Sequence, residues 1–537
     1  MSTVTTILVL LTALALTAAL GKRVAVPLPL LLITAGVGIS FVPGFERVDI
    51  DPEVFFLLFI PPLLFADGWL IPKREFSRVL RPVLLLAFGL VFMTIFGIGL
   101  LMHWLIPALP LAAAFALAAI VSPTDALATS AMVGTAGLPG RATHILKGES
   151  LINDASGLVG FRFALAALAT GTYSATEIAF DLVLVATGGA LVGLAIAWLI
   201  GQVRAALRNA CADDPSVQTV LSILTPFAAY LAAEHFELSG ILAVVVAGLY
   251  AGWNDFRILD ARTRQHAREV WSMLLFAFNG LVFILLGVAL IHAFSVFGRQ
   301  DWQRHVFYAL TLWAALTALR LMWVFPSAYL PQWLSPRIRE REGLRDPRYV
   351  FLVGWAGLRG SVTMAAALSI PVTLASGALF PERQVIVFLA ASTIVLTLVI
   401  NGLSLPLFVR AFGVTRDRGA DRDRRAAEIA IAIAGSAAIE RSLSTLGRPE
   451  EIAHARDLLA AYSRRTDRHT ANAARAIALS DAQASERRLV LLGLEAERRE
   501  LYALLDAGTI NDETLREIET RLDSAEMHVT GAAQSAH

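Results

Sequence analysis

The sequence predicts an all-α polytopic membrane protein, with about thirteen transmembrane helices followed by a helical, water-soluble tail. Three observations carry that prediction. Of 537 residues, 56% are hydrophobic and only 17% charged, whereas a soluble globular domain carries about a quarter charged residues. The mean hydropathy is +0.64, and long apolar windows recur to residue 410, after which Arg, Asp and Glu crowd the chain. The basic residues of the loops also alternate along the chain, as they do when alternate loops face the cytoplasm.

A helix needs about 20 mainly apolar residues to cross a bilayer. Such windows fall near 4–20, 24–43, 52–72, 83–107, 110–134, 144–170, 176–202, 217–234, 238–252, 271–294, 305–330, 350–372 and 384–410. The odd count places the termini on opposite sides. Met1–Thr6 has no basic residue, and Lys22 and Arg23 follow the first apolar run. A secretory signal has the reverse order, so a retained first helix is expected. One set of alternate loops carries nineteen Lys and Arg, from Lys22 and Arg23 to Arg345 and Arg348. The other carries four: Arg47, Arg299, Arg304 and Arg383. The expected layout is therefore a transmembrane domain over 1–410 and a cytosolic helical region over 411–537. The chain is expected to be multi-pass, with its N-terminus outside and its C-terminus on the cytoplasmic side.

The tail opens on a charged run, Arg416–Arg424, expected as a solvated linker. Ile429, Ile433 and Ala437, then Leu491, Leu494, Leu501 and Leu505, recur at helical spacing. Thr509–Glu513 reads as a turn and helix start before Leu515–Ile518. An appendage held by charge pairs and a regulatory element both fit these residues.

With 45 basic and 44 acidic residues, the chain offers no basis for binding nucleic acid, and its single cysteine, Cys211, excludes an internal disulfide. Two enzyme classes fail as well. His-Glu-x-x-His is absent, and His103, His144 and His292 fall near span ends rather than beside a membrane serine.

The chemistry lies in charges that interrupt the apolar spans: Asp67, Asp125, Glu149, Asp154, Arg162 and Arg359, with Arg320 a seventh. Each is costly in hydrocarbon and by default marks an ion pathway or a buried pair. Span five contains Ser122-Pro123-Thr124-Asp125. Its proline predicts an unwound helix lining a cavity, with Asp125 placed to cap the following half-helix. Span twelve contains Gly354-Trp355-Ala356-Gly357-Leu358-Arg359-Gly360, a second natural break. Paired discontinuous helices point to a midplane site. One break carries an acid and the other a base, a distribution that would balance facing half-helix ends.

Span six carries Glu149-Ser150-Leu151-Ile152-Asn153-Asp154. Ser150 and Asp154 share a face, while Glu149 points about 140° away. Asp154 with Ser150 can look into a cavity beside Thr124; Glu149 needs a cation such as Arg359 or Arg162. A buried pair of Asp154 with Arg162 is the competing arrangement. Carboxylate, hydroxyl and carbonyl oxygens suit a hard cation. A carboxylate in a partly dehydrated cavity also holds its proton more tightly, so cation and proton would compete for it.

Phe56–Trp69 (FLLFIPPLLFADGW), Ser122–Asp125, Gly148–Asp154 and Gly357–Gly360, in that order, resemble the motifs of the monovalent cation:proton antiporter-1 family. The resemblance covers about residues 5 to 410. It implies inverted repeats, two discontinuous crossing helices, a homodimer, and a core bundle that moves against a dimerisation bundle. It further implies an electroneutral Na+/H+ antiporter without a resident cofactor, whose Asp154 takes Na+ or H+ in turn. Ser150 and Thr124 would be further Na+ ligands, Asn153 would complete the Asn-Asp pair of the electroneutral branch, and Glu149 and Arg359 would form a structural ion pair. Many relatives place an acid where this chain has Ala66. Asp67, one residue later and turned by about 100°, stands as a candidate ligand on those terms. K+ or Li+ in place of Na+, and a cation channel or ion sensor on the same scaffold, remain the alternatives. The partners expected are monovalent cations, protons and membrane lipid.

Overall fold

Each of the apolar windows is mainly helical among its described residues. The computed structural model describes residues 3–470 apart from 25, 43–50, 134–137, 139, 171–174, 210–213, 260, 338–345, 375–378, 414–417 and 445–447, together with scattered residues between 491 and 526. Among the described residues no strand forms beyond an isolated bridge at Thr373 and Leu379. The chain divides into two compact units, 1–416 and 417–537.

The first unit opens with α1 (Thr3–Gly21), α2 (Leu28–Ile39) and α3 (Pro52–Leu70). Asp51 caps α3, its Oδ1 accepting the N–H of Glu53 at 2.8 Å. Next, α4 (Lys73–Leu84) and α5 (Val91–Leu105) are joined through a π turn at Leu85–Leu90. Side chains use the carbonyls of that wider turn, since Trp323 donates to Leu85 O and Ser156 to Ala87 O. There follow α6 (Leu111–Val121), α7 (Ala126–Val133), α8 (Gly140–Thr170), α9 (Ala175–Asn209), α10 (Pro215–His235) and α11 (Gly240–Ile258). Helix α12 (Ala261–Leu334) holds two apolar spans, Arg262–His292 and Asp301–Leu334. The unit ends with α13 (Pro347–Trp355), α14 (Ser361–Leu368), α15 (Arg383–Leu396), a second π turn at Thr397–Gly402, and α16 (Leu403–Ala411).

Among the described residues, eight helical segments are long and apolar enough to cross a membrane, nine when α6 and α7 count as one span bent by 50°. Thr5–Gly21, Leu28–Ile39 and Gly240–Asp255 are shorter apolar helices. The surface keeps large apolar side chains outward, among them Phe88, Phe92, Phe96 and Leu100 at four-residue spacing along one stripe. In water such a stripe would be a liability; against lipid it costs nothing. Inside, small residues set the approach of the helices. A Cβ at Gly36 would lie 2.0 Å from Ile284 O, and one at Gly287 would lie 2.2 Å from Ile33 O. Helix α2 and the first span of α12 therefore meet backbone to backbone, as membrane helices do where small residues allow it.

In the second unit, α17 (Arg418–Leu443) packs on α18 (Pro449–Thr470). The charged run expected as a linker is already helical from Arg418. Of the expected apolar stripe, Ile429 and Ala437 are half-buried and Ile433 is exposed, while the neighbouring Ala432 is buried. Leu494, Leu501 and Leu522 form a small cluster with Ile518. The expected features at Leu505 and Thr509–Glu513 lie outside the described residues.

Candidate functional site

Two interrupted helices cross, and their breaks touch. Between α6 and α7, Ser122–Asp125 leaves the helix; between α13 and α14, Ala356–Gly360 does the same. The breaks are tied by Asp125 N–H donating to Leu358 O at 2.7 Å, and by Thr129 Oγ1 donating to Ala356 O at 2.9 Å.

Charge then matches every half-helix end. Asp125 Oδ1 accepts Leu127 N–H at 2.8 Å and Ala128 N–H at 2.9 Å, capping α7. Its Oδ2 accepts Ser361 N–H at 3.3 Å at the start of α14. One carboxylate thus serves two N-termini, where a negative charge opposes the helix dipole. The carbonyl ends receive cations. Arg359 Nη1 donates to Pro123 O at 3.1 Å, just past α6. Arg320, from the second span of α12, donates to Gly354 O at 2.9 Å and Val353 O at 3.2 Å, at the end of α13. Glycine is required where these groups pass. A Cβ at Gly360 would lie 1.7 Å from Asp125 Oδ2, and one at Gly357 would lie 2.3 Å from Arg320 Nε.

Helix α8 sends its polar side chains two ways. Glu149 is 0% exposed and pairs with Arg320, whose Nη1 meets Oε1 while Nη2 reaches Oε2 at 2.9 Å. This corrects the ion pair expected between Glu149 and Arg359. Both arginines are buried, but Arg359 donates to Pro123 O, whereas Arg320 passes over Gly357 and reaches Glu149. Thr124 Oγ1 donates to Glu149 Oε1 at 3.3 Å and accepts from Asn153 Nδ2 at 2.8 Å. Asn153 therefore orients Thr124, and it is not among the residues lining the cleft described next.

On the other side of α8, Asp154 and Ser150 line a narrow cleft. With them stand Asp67 and Leu63 of α3, Pro123, Thr124 and Asp125 of the first break, Leu127 of α7, Asn279 of α12, Gly360 of the second break, and Ser361–Thr363 of α14. None of these lining residues is basic. Asp154 is 3% exposed, and among the described residues it has neither a hydrogen bond nor an ion pair. Arg162, considered as its counter-charge, goes elsewhere: Nη2 donates to Tyr230 Oη at 2.7 Å and Nη1 pairs with Glu234. Eight residues along α8 carry Arg162 about 12 Å away, within reach of α10 instead.

Asp67, Thr124, Asp125, Ser150 and Asp154 thus line one space, Glu149, Asn153 and Arg359 bond to the residues around it, and Arg162 stands apart. Sequence reasoning gave no role to Asn279 or Ser361, whose hydroxyl donates to Asn279 Oδ1 at 2.5 Å. The available signal for Asn279 was a lone amide in an otherwise apolar span.

Crossed half-helices with capped ends, enclosing an acidic cleft amid membrane-length helices, define a secondary transporter. The sodium/hydrogen exchanger (transmembrane) family model matches residues 8–411, and the chain belongs to that family. It is 41% identical over 389 residues to a sodium, potassium, lithium and rubidium/H+ antiporter of Bacillus pumilus, covering 71% of this chain and 57% of the relative. An uncharacterized Na+/H+ exchanger of Escherichia coli K12, YjcE, is 37% identical over 516 residues, covering 93% of this chain and 94% of its own. The solved sodium proton antiporter MjNhaP1 from Methanocaldococcus jannaschii shares the fold at TM-score 0.57 and 17% identity, over 76% of this chain and 98% of that one.

Proposed function

We propose that this chain exchanges a monovalent cation for a proton by letting both compete for Asp154. Asp125 is committed to two helix ends and Glu149 to Arg320. Asp154 is buried, unpaired and in a cleft without a basic residue; this is the observation that carries the proposal. A carboxylate with no hydrogen bond or ion pair among the described residues gains by taking up either H+ or a cation, because bare charge at that depth is costly. Asp67 shares the cleft, and Ser150 and Thr124 offer hydroxyl oxygens; Thr124 still has a lone pair after accepting from Asn153. Such a set suits Na+. Asn153, adjacent to Asp154, is neutral and adds no second proton site, which supports one-for-one, electroneutral exchange. The Bacillus pumilus relative, named for four alkali cations, favours K+ and Li+ as further substrates.

The basic residues of alternate loops support a bacterial inner-membrane setting with the N-terminus periplasmic and the second unit cytoplasmic. The motif resemblance supports thirteen spans, inverted repeats and a homodimer, and the outward apolar stripe supports contact with lipid. Catalysis of bond chemistry has no place in this scheme.

The test is proton flux in everted vesicles on addition of Na+ or K+. Wild type should exchange and respond little to a clamped membrane potential, whereas a channel would carry net current. Asp154→Asn should abolish exchange in a folded protein. Full exchange by that variant would remove Asp154 from the site.

A further inference from the structure

We propose that Thr363 is a further ligand of the exchanged cation, so that both broken helices, rather than the first alone, supply oxygens to it. This presupposes the exchange at Asp154 proposed above.

Thr363 stands in the first turn of α14, two residues beyond Ser361, and lines the same cleft as Asp67, Ser150 and Asp154. It is 1% exposed, and its Oγ1 is buried without a hydrogen-bond partner among the described residues. That is unusual, because buried hydroxyls are paired as a rule, and helical threonines readily bond the carbonyl three or four residues back. Other buried threonines here do so: Thr393 bonds Leu389 O and Thr397 bonds Ile394 O. For Thr363 those carbonyls belong to Gly360 and Arg359, in the non-helical break. Ser361, by contrast, already spends its hydroxyl proton on Asn279 Oδ1. The α14 wall thus includes a residue whose hydroxyl has no partner, in a cleft whose α8 wall includes Asp154, which has none either. A dehydrated alkali cation needs several oxygens, and a hydroxyl offers it lone pairs without adding charge. Losing this ligand would weaken the cation without removing the proton acceptor.

The experiment uses full-length protein carrying Thr363→Val or Thr363→Ser. It measures Na+-driven proton flux in proteoliposomes, and thermal unfolding with Na+ or choline, with Li+ and K+ run in parallel. Thr363→Val keeps the shape and deletes the orphaned oxygen, so its midpoint in choline should equal or exceed that of wild type. Its apparent KM for Na+ should rise about tenfold at a near-constant maximal rate, and its Na+-induced gain in midpoint should shrink. Thr363→Ser should restore both. A merely structural threonine would give the opposite pattern, a lowered midpoint in choline with an unchanged Na+ response. That result, or an unchanged KM in Thr363→Val, would overturn the assignment. A wild type without cation-driven flux would instead overturn the exchange itself, and the ligand with it.

Discussion

Replacing Arg320 by methionine would strip the cation from a carboxylate that has no access to water. Glu149 is 0% exposed, and its remaining partner would be Thr124 Oγ1 at 3.3 Å, a long bond. Breaking a buried ion pair from one side costs about 3–5 kcal/mol. Arg320 also serves the carbonyls of Val353 and Gly354, and losing each adds about 1 kcal/mol. Arg320→Met should therefore be the most damaging single change at the breaks, at roughly 5–7 kcal/mol by this sum. Adding Glu149→Gln removes the stranded charge, so the double variant should be more stable than Arg320→Met alone. The coupling should be about 3 kcal/mol. Unfolding in mixed micelles by titration with dodecyl sulfate, followed by tryptophan fluorescence, measures all four corners of the cycle. Additive penalties, or an Arg320→Met variant that unfolds at the wild-type midpoint, would refute the pairing. Arg359→Met in the same cycle should couple to Glu149 more weakly, since its guanidinium donates to Pro123 O.

Two further outcomes follow from the same geometry. Gly360→Ala would force a methyl against Asp125 Oδ2, 1.7 Å away before relaxation. It should cost about 1–3 kcal/mol and much of the exchange rate, both checked by the unfolding and flux assays above; a silent variant would contradict the shared cap. If cation and proton compete at one carboxylate, the apparent KM for Na+ should fall as pH rises. In the acid range it should fall by up to about tenfold per pH unit, flattening once the carboxylate is unprotonated. A KM independent of pH would contradict competition.

The sequence by itself determined the membrane class, the helical windows, the two breaks and the charges around them, though it left the buried pair of Arg204 and Asp255 unread. The reason is local: apolar length, proline and glycine chemistry, and the cost of charge in hydrocarbon are properties of short segments. Helical spacing also separated Glu149 from Asp154, and their neighbours do differ. What only the tertiary structure decided is which partner each charge takes. Glu149 could be satisfied by any arginine brought within reach. The choice of Arg320 depends on a helix 171 residues away passing over a glycine, a distance no periodicity encodes. Likewise Asn153 turns to hold Thr124 rather than face the cleft, and Asn279 and Thr363 join it because three separate helices converge there. Pairing in a dry interior is settled by packing, and packing is a property of the whole fold.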